Sequence, residues 1–343
     1  MRMPAGRGPI SGDLLRILQS PEEESGPDLE GLAGATRDAI ASGAELLRDG
    51  DLQLALFCLY ELHYSGLEGA GSSWEWHPAL LEIRRLLEAA FEAALRAAVE
   101  LPPLTAAGSD QVAAELFAMT ARDTGPSMSR YIAKKAPVEQ LREFLILKSI
   151  YQLKEADPHT WAIPRLNGRA KAAMVEIQAD EYGGGRPERM HSALFARTMA
   201  GLGLDTSYGA YLDLVPALTL SANNMMSLFG LNRRLRGAIA GHLAAYEMTS
   251  SQPNRLYGNG FRRHGFDRDV TWYFDEHVEA DAVHEQIAAR DLAGGLAEAE
   301  PALLGDIYFG AASALAIDAM LATEVMSRWE AGESALLPSD ALV

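Results

Sequence analysis

Apolar residues recur at intervals of three and four along most of this chain, and that period admits helices and little else. It is plain in HPALLEIRRLLEAAFEAALRAAVEL, residues 77–101, and again in PVEQLREFLILKSIYQLKEADPHTW, residues 137–161. Further helices are expected in GRAKAAMVEIQADEY, PERMHSALFARTMAGLGL, LTLSANNMMSLFG, LNRRLRGAIAGHLAAYEMTS, DRDVTWYFDEHVEADAVHEQIAARDLAGGL and LLGDIYFGAASALAIDAMLATEVMSRWE. No alternating β-branched run, internal repeat or phosphate-cradling glycine loop interrupts the series. Alanine and leucine are abundant and aromatics are only 8% of the chain, a mixture that favours helices. The fold class expected is all-α. Residues 1–33, rich in Gly and Pro with the acidic run PEEES, are expected to be a mobile segment in which DLLRILQ could form one short helix. Residues 34–125 read as a helical extension that packs on the core and assists a homodimer, and 126–335 as the main domain.

The balance of 30 basic against 47 acidic residues gives a net charge of −17. That field attracts neither nucleic-acid phosphates nor an anionic membrane, so neither is expected as a partner. Cys58 is the single cysteine, which rules out an intrachain disulfide and a thiolate cluster; within LALFCLY it reads as a core residue. MRMPAGRGPISGD has no apolar signal region, and no run of ~20 uninterrupted apolar residues stands out for a membrane span. A cytoplasmic location is the simplest expectation.

The stretch HVEADAVH, residues 277–284, places His277, Asp281 and His284 at spacings of four and three. At about 100° per residue these three fall on one helix face, so three metal-binding groups point the same way. A metal there needs further ligands from other helices, and a di-iron site needs roughly six carboxylates and imidazoles in all. DEYGGGRPERMH supplies Glu181, Glu188 and His191. Glu188 and His191, three apart, share a helix face; the alternative is that Pro187, suited to a first turn, opens a new helix. Glu247 is the one acid in the apolar segment GAIAGHLAAYE and must be paired, metal-bound or turned to solvent. Glu155, beside Lys154 near a helix end, reads more readily as solvated. A rival geometry pairs Glu188-x-x-His191 with Asp281-x-x-His284 as in a ferritin-like bundle, but leaves His277 without a role.

Other groupings are weaker. Glu61 and His63 are two apart and do not face together on a helix. Arg233, Arg234 and Arg236 could meet a carboxylate substrate, but a solvated or ion-paired helix start explains them as well. Asn223 and Asn224 could flank a pocket. No Ser-His-Asp or Cys-His signature is present.

The order Glu181…His191, then Glu247, then His277-x-x-x-Asp281-x-x-His284 resembles the ligand pattern of the heme-oxygenase-like di-iron oxidases and oxygenases. The likeness covers roughly residues 130–335, and LYELHYSGL resembles part of a helical extension found in relatives. It implies a heme-oxygenase-like helical bundle with an N-terminal helical extension, two non-heme irons, O2 as co-substrate and an external reductant. It also implies that Glu181 and His191 bind one iron, His277 and His284 largely the other, with Glu247 and Asp281 bridging or chelating. Glu188 resembles the extra carboxylate of N-oxygenating members, and Glu155 falls where they can carry another acid. The implied function is N-oxygenation of a small amine to hydroxylamine, nitroso or nitro in small-molecule biosynthesis, on a substrate such as a heteroaromatic amine or basic amino acid. The alternatives are oxidative decarboxylation, desaturation or C–C cleavage of an amino or fatty acid, and a non-catalytic helical binding module.

Overall fold

A computed structural model describes residues 1–20, 28–43, 45–105, 108–122 and 126–338, without the side chains of 279–282. The acidic run at 21–27 and the side chain of Asp281 therefore lie outside the described residues. Every regular element among the described residues is a helix. The chain divides into two compact units, Met1–Ala98 with Ser207–Met225 and Leu336–Val343, and Val99–Thr206 with Met226–Ala335.

The first unit is built on α1 (Pro9–Leu18), α2 (Leu29–Ala41), α3 (Gly50–Glu61) and α4 (Pro78–Ala97). Its apolar faces close on one another: Leu14, Ile17 and Leu18 of α1, Leu54 to Tyr60 of α3, and Leu87, Phe91 and Leu95 of α4 are all buried. Cys58 is fully buried, as a core cysteine should be. Asp49 caps α3 by accepting the backbone N–H of Asp51 and Leu52. The stretch 207–225 returns to this unit late in the chain, and Asn224 donates to the carbonyl and side-chain oxygens of Gln53. Asn224 thus serves the core. In the same unit Tyr208 donates to Glu61 at 2.8 Å, and His63 lies beside Arg84 and Glu75.

The second unit contains α5 (Ser109–Ala121), α6 (Met128–Lys134), α7 (Val138–Gln152), α8 (Asp157–Thr160), α9 (Gly168–Glu181) and α10 (His191–Gly201). After α11 (Ala217–Leu231) follow α12 (Arg236–Arg263), α13 (Arg268–Gln286), α14 (Gly295–Ala299) and α15 (Leu304–Glu330). The residues expected in one extension over 34–125 are thus divided, since α5 belongs to this second unit.

The axis of the unit is the pair α12 and α15. A Cβ on Gly241 would sit 1.8 Å from the Ile307 oxygen, and one on Gly310 would sit 1.9 Å from the Ala238 oxygen. Only glycine at both positions lets the two backbones touch. By length and composition α15 could cross a membrane, but half of its most apolar stretch is buried inside the protein, which accounts for its character. From α13 the helix continues through a π-helical stretch, Ile287–Gly294, before α14. Such wide turns concentrate near functional sites, and this one begins three residues after His284.

Candidate metal centre

Four helices and one turn deliver carboxylates and imidazoles to a single buried place in the second unit. Glu181 is the last residue of α9 and His191 the first of α10. Between them Gly183, Gly184 and Gly185 all have positive φ, a left-handed run that reverses the chain. Glu247 comes from the middle of α12, and His277 and His284 from α13. Glu155 follows α7 in a turn closed by Ala156, whose φ of 78° is the one positive value outside glycine among the described residues. The Gln178 amide holds that turn by donating to the Ala156 carbonyl at 2.8 Å.

Two sets of donor atoms form. Glu155, Glu181, His191 and His277 place one donor each within 4.8 Å of one another, as do Glu181, Glu247 and His284. Glu181 is common to both. Its Oε2 lies 3.0 Å from His191 Nδ1, His277 Nε2 lies 3.5 Å from Glu155 Oε1, and His284 Nδ1 lies 3.5 Å from Glu247 Oε2. Two donors on opposite sides of one ion, at ~2.1 Å each, would be about 4.2 Å apart, so each set has the span of a single metal shell.

The hydrogen bonds around the sets orient the rings. His277 Nδ1 lies 2.8 Å from the Tyr273 carbonyl, which can only accept, so Nδ1 carries the proton and Nε2 faces the carboxylates. His284 Nε2 lies 2.9 Å from Asp180 Oδ2, and the same logic leaves Nδ1 facing Glu247. The Tyr273 hydroxyl donates to Glu155 Oε1 at 2.8 Å. Three buried atoms nevertheless make no hydrogen bond among the described residues: Glu155 Oε2, His191 Nδ1 and His284 Nδ1. The 3.0 Å approach of His191 to Glu181 is out of line for a hydrogen bond, so its effect is mainly one of charge.

Three carboxylates this deep are costly without cations. Burial would raise the Glu181 carboxyl, but the charges of His191, His277 and His284 outweigh it and hold it down at about 2. Burial opposes charge on His284 too, yet Glu247, Asp180 and Glu181 push it up to about 9. His191 is raised against its own burial, chiefly by Glu181. Hard oxygen donors, imidazoles and orphaned buried atoms are a donor set that fits iron.

Glu188 does not join. It sits on the exposed turn Pro187–Arg189, and the expected Glu188-x-x-His191 face does not exist because His191 opens a new helix. The division implied by resemblance is also rearranged. His277 falls with His191 rather than with His284, and Glu181 rather than Glu247 lies between the sets. Asp281 is on α13 at the expected register, its side chain outside the described residues. Glu155, read as solvated, is 7% exposed and within the first set. Asp180 was missed altogether; its only signal is its position next to Glu181. Arg236 pairs with Glu300 and does not line the cavity beside the cluster.

The cluster borders a cavity of about 430 Å³ whose wall includes Glu155, Glu181, Glu247 and His277. That volume suits a small molecule.

Residues 142–319, just over half of the chain, match the iron-containing redox enzyme family, and the chain belongs to that family of oxidoreductases. The matched span takes in every donor of both sets. Among characterised proteins the chain is similar to a nitrosourea synthase of Streptomyces achromogenes subsp. streptozoticus, 27% identical over 195 residues. That similarity spans 57% of this chain but only 39% of the synthase.

Proposed function

We propose that this protein is a non-heme di-iron oxygenase that uses O2 and an external reductant to oxidise the nitrogen of a small amine in small-molecule biosynthesis. The observation that carries the reading is the pair of donor sets sharing Glu181 at the end of a substrate-sized cavity. The similarity to a synthase whose product, a nitrosourea, bears an N–N=O group supports nitrogen as the atom oxidised.

Glu155, Glu181, His191 and His277 would hold one iron, and Glu181, Glu247 and His284 the other, with Asp281 at the right register to add a donor. Two ferrous ions there would supply the redox chemistry that activates O2. The remaining work belongs to the chain. Tyr273 positions Glu155 through its hydroxyl and His277 through its carbonyl, so one residue orients two ligands. Asp180 orients His284 from outside the cavity. Phe195, Tyr151 and Tyr246 line the wall next to the ligands and keep bulk water from them. In each conversion of an amine to a hydroxylamine, one oxygen atom of O2 enters the N–O bond. The other leaves as water, with two electrons from the reductant and two protons.

The test is turnover of iron-loaded protein with a set of amines under ¹⁸O2, followed by mass spectrometry. The expected product carries ¹⁸O on nitrogen. Loss of CO2, or a new C=C bond with no N–O product, would overturn the reading.

A further inference from the structure

The cavity beside the cluster has two chemically different regions. At one end stand the carboxylates and His277. Lys148 lies in the wall seven residues before Glu155. Lys148 is on α7, whereas Glu155 lies in the turn beyond the last residue of that helix, Gln152. Neighbouring rings give the register of α7. Tyr151 meets Tyr246 with centroids 6.2 Å apart, and Phe144 meets Tyr257 at 4.6 Å. α7 therefore runs antiparallel to α12, with Lys148 between these two levels on the side away from Glu247.

Lys148 is half-buried, and its ammonium makes no ion pair or hydrogen bond with any described residue. In a chain with 47 acidic against 30 basic residues, a cation in a cavity wall without a carboxylate partner among the described residues stands out. Arg130, at the exposed rim of the same cavity, has no side-chain partner among the described residues either. Asp318 is the one wall carboxylate outside the cluster; it lies close enough to Tyr246 and Tyr257 to act on both, but forms no ion pair with Lys148. A half-sequestered ammonium is best compensated by an anion brought in from outside.

We infer that Lys148 is the receptor for a carboxylate on the substrate, and that the atom to be oxidised lies at the other end of the molecule. The substrate class is then an amino acid or other amino-carboxylic acid that enters acid-first away from the metals. The identity of the reacting end rests on the oxygenase reading; the carboxylate site does not.

The experiment is calorimetric binding to anaerobic, Fe(II)-loaded protein of ε-aminohexanoate, hexylamine and aminohexyl phosphate. A charge-assisted contact predicts that ε-aminohexanoate binds at least about tenfold tighter than hexylamine. Lys148→Met should erase that preference while leaving hexylamine unchanged, and Lys148→Arg should keep most of it. Equal binding of acid and amine, an intact preference in Lys148→Met, or no binding of any probe would overturn the inference. Tighter binding of the phosphate would overturn the carboxylate assignment. An acid preference in a protein that oxygenates no amine would sink the oxygenase reading and leave this one standing.

Discussion

The second unit buries two pairs of histidines, and only one has the makings of a metal centre. His159 and His242 are fully buried, with Nε2 of the first 3.1 Å from Nδ1 of the second, among the rings of Tyr151, Tyr246 and Phe229. Burial drives His159 down to about 4 and His242 well below its ordinary value. His191 and His277 are buried almost as deeply, with ring centroids 4.3 Å apart, but Glu155 and Glu181 stand beside them. There the imidazole of His191 is raised. Depth alone makes a neutral core pair; carboxylates in the same pocket make a site that calls for cations.

Removal of the shared carboxylate should break the comparison most severely. Glu181→Ala is expected to lower bound iron below one per chain and activity by about a hundredfold or more, because both sets lose a donor. Glu247→Ala should spare the first set and retain about one iron. Iron analysis after gel filtration separates the two; equal losses in both variants would show that Glu181 is not shared.

The neutral pair should reveal itself through acid stability. His159 is held near 4 when folded but titrates at its ordinary 6.5 when unfolded. Below 6.5 the unfolded chain binds a proton that the folded one refuses, so stability is intact above 6.5 and falls as pH drops towards 4. The loss should approach about 3 kcal/mol, an order-of-magnitude figure. His159→Gln should flatten urea-unfolding free energies over that window. An unchanged slope would mean that His159 does not titrate as its burial demands.

The carboxylate-flanked side has the opposite sign. His284 is raised to about 9 in the metal-free protein, so iron must displace its proton. Fe(II) affinity should therefore climb as pH rises from 6.5 towards 9, up to about tenfold per unit, with proton release measurable in weak buffer. A flat profile would remove His284 from the ligand set.

The smallest effect is expected at Glu188. Exposed and away from both donor sets, Glu188→Ala should leave iron binding unchanged and stability within about 0.5 kcal/mol. A marked loss of iron would bring the acid back into the site.

The sequence carried what depends on unbroken local periodicity. The three- and four-residue spacing of apolar side chains marked the helices, and His277 and His284 came out on one face because α13 runs without interruption between them. Glu188 misled because spacing has meaning only inside one helix, and Pro187 and the left-handed glycines break the segment. Glu155 was hidden for the converse reason. It follows the end of α7, where the positive φ of Ala156 turns the chain so that a residue beside Lys154 faces inward. Lys148 gave no local signal and Asp180 none beyond its place next to Glu181, since each is defined by what lies across from it. The return of 207–225 to the first unit is likewise a long-range pairing with no motif of its own.

We propose that one buried cluster holds two irons through a shared glutamate. Anaerobic titration of the metal-free protein with Fe(II), followed by desalting and iron analysis, counts them. The expected result is close to two irons per chain in the parent, about one in Glu247→Ala and fewer than one in Glu181→Ala. A parent that saturates at one iron, or a Glu181→Ala variant that still holds two, would contradict the account.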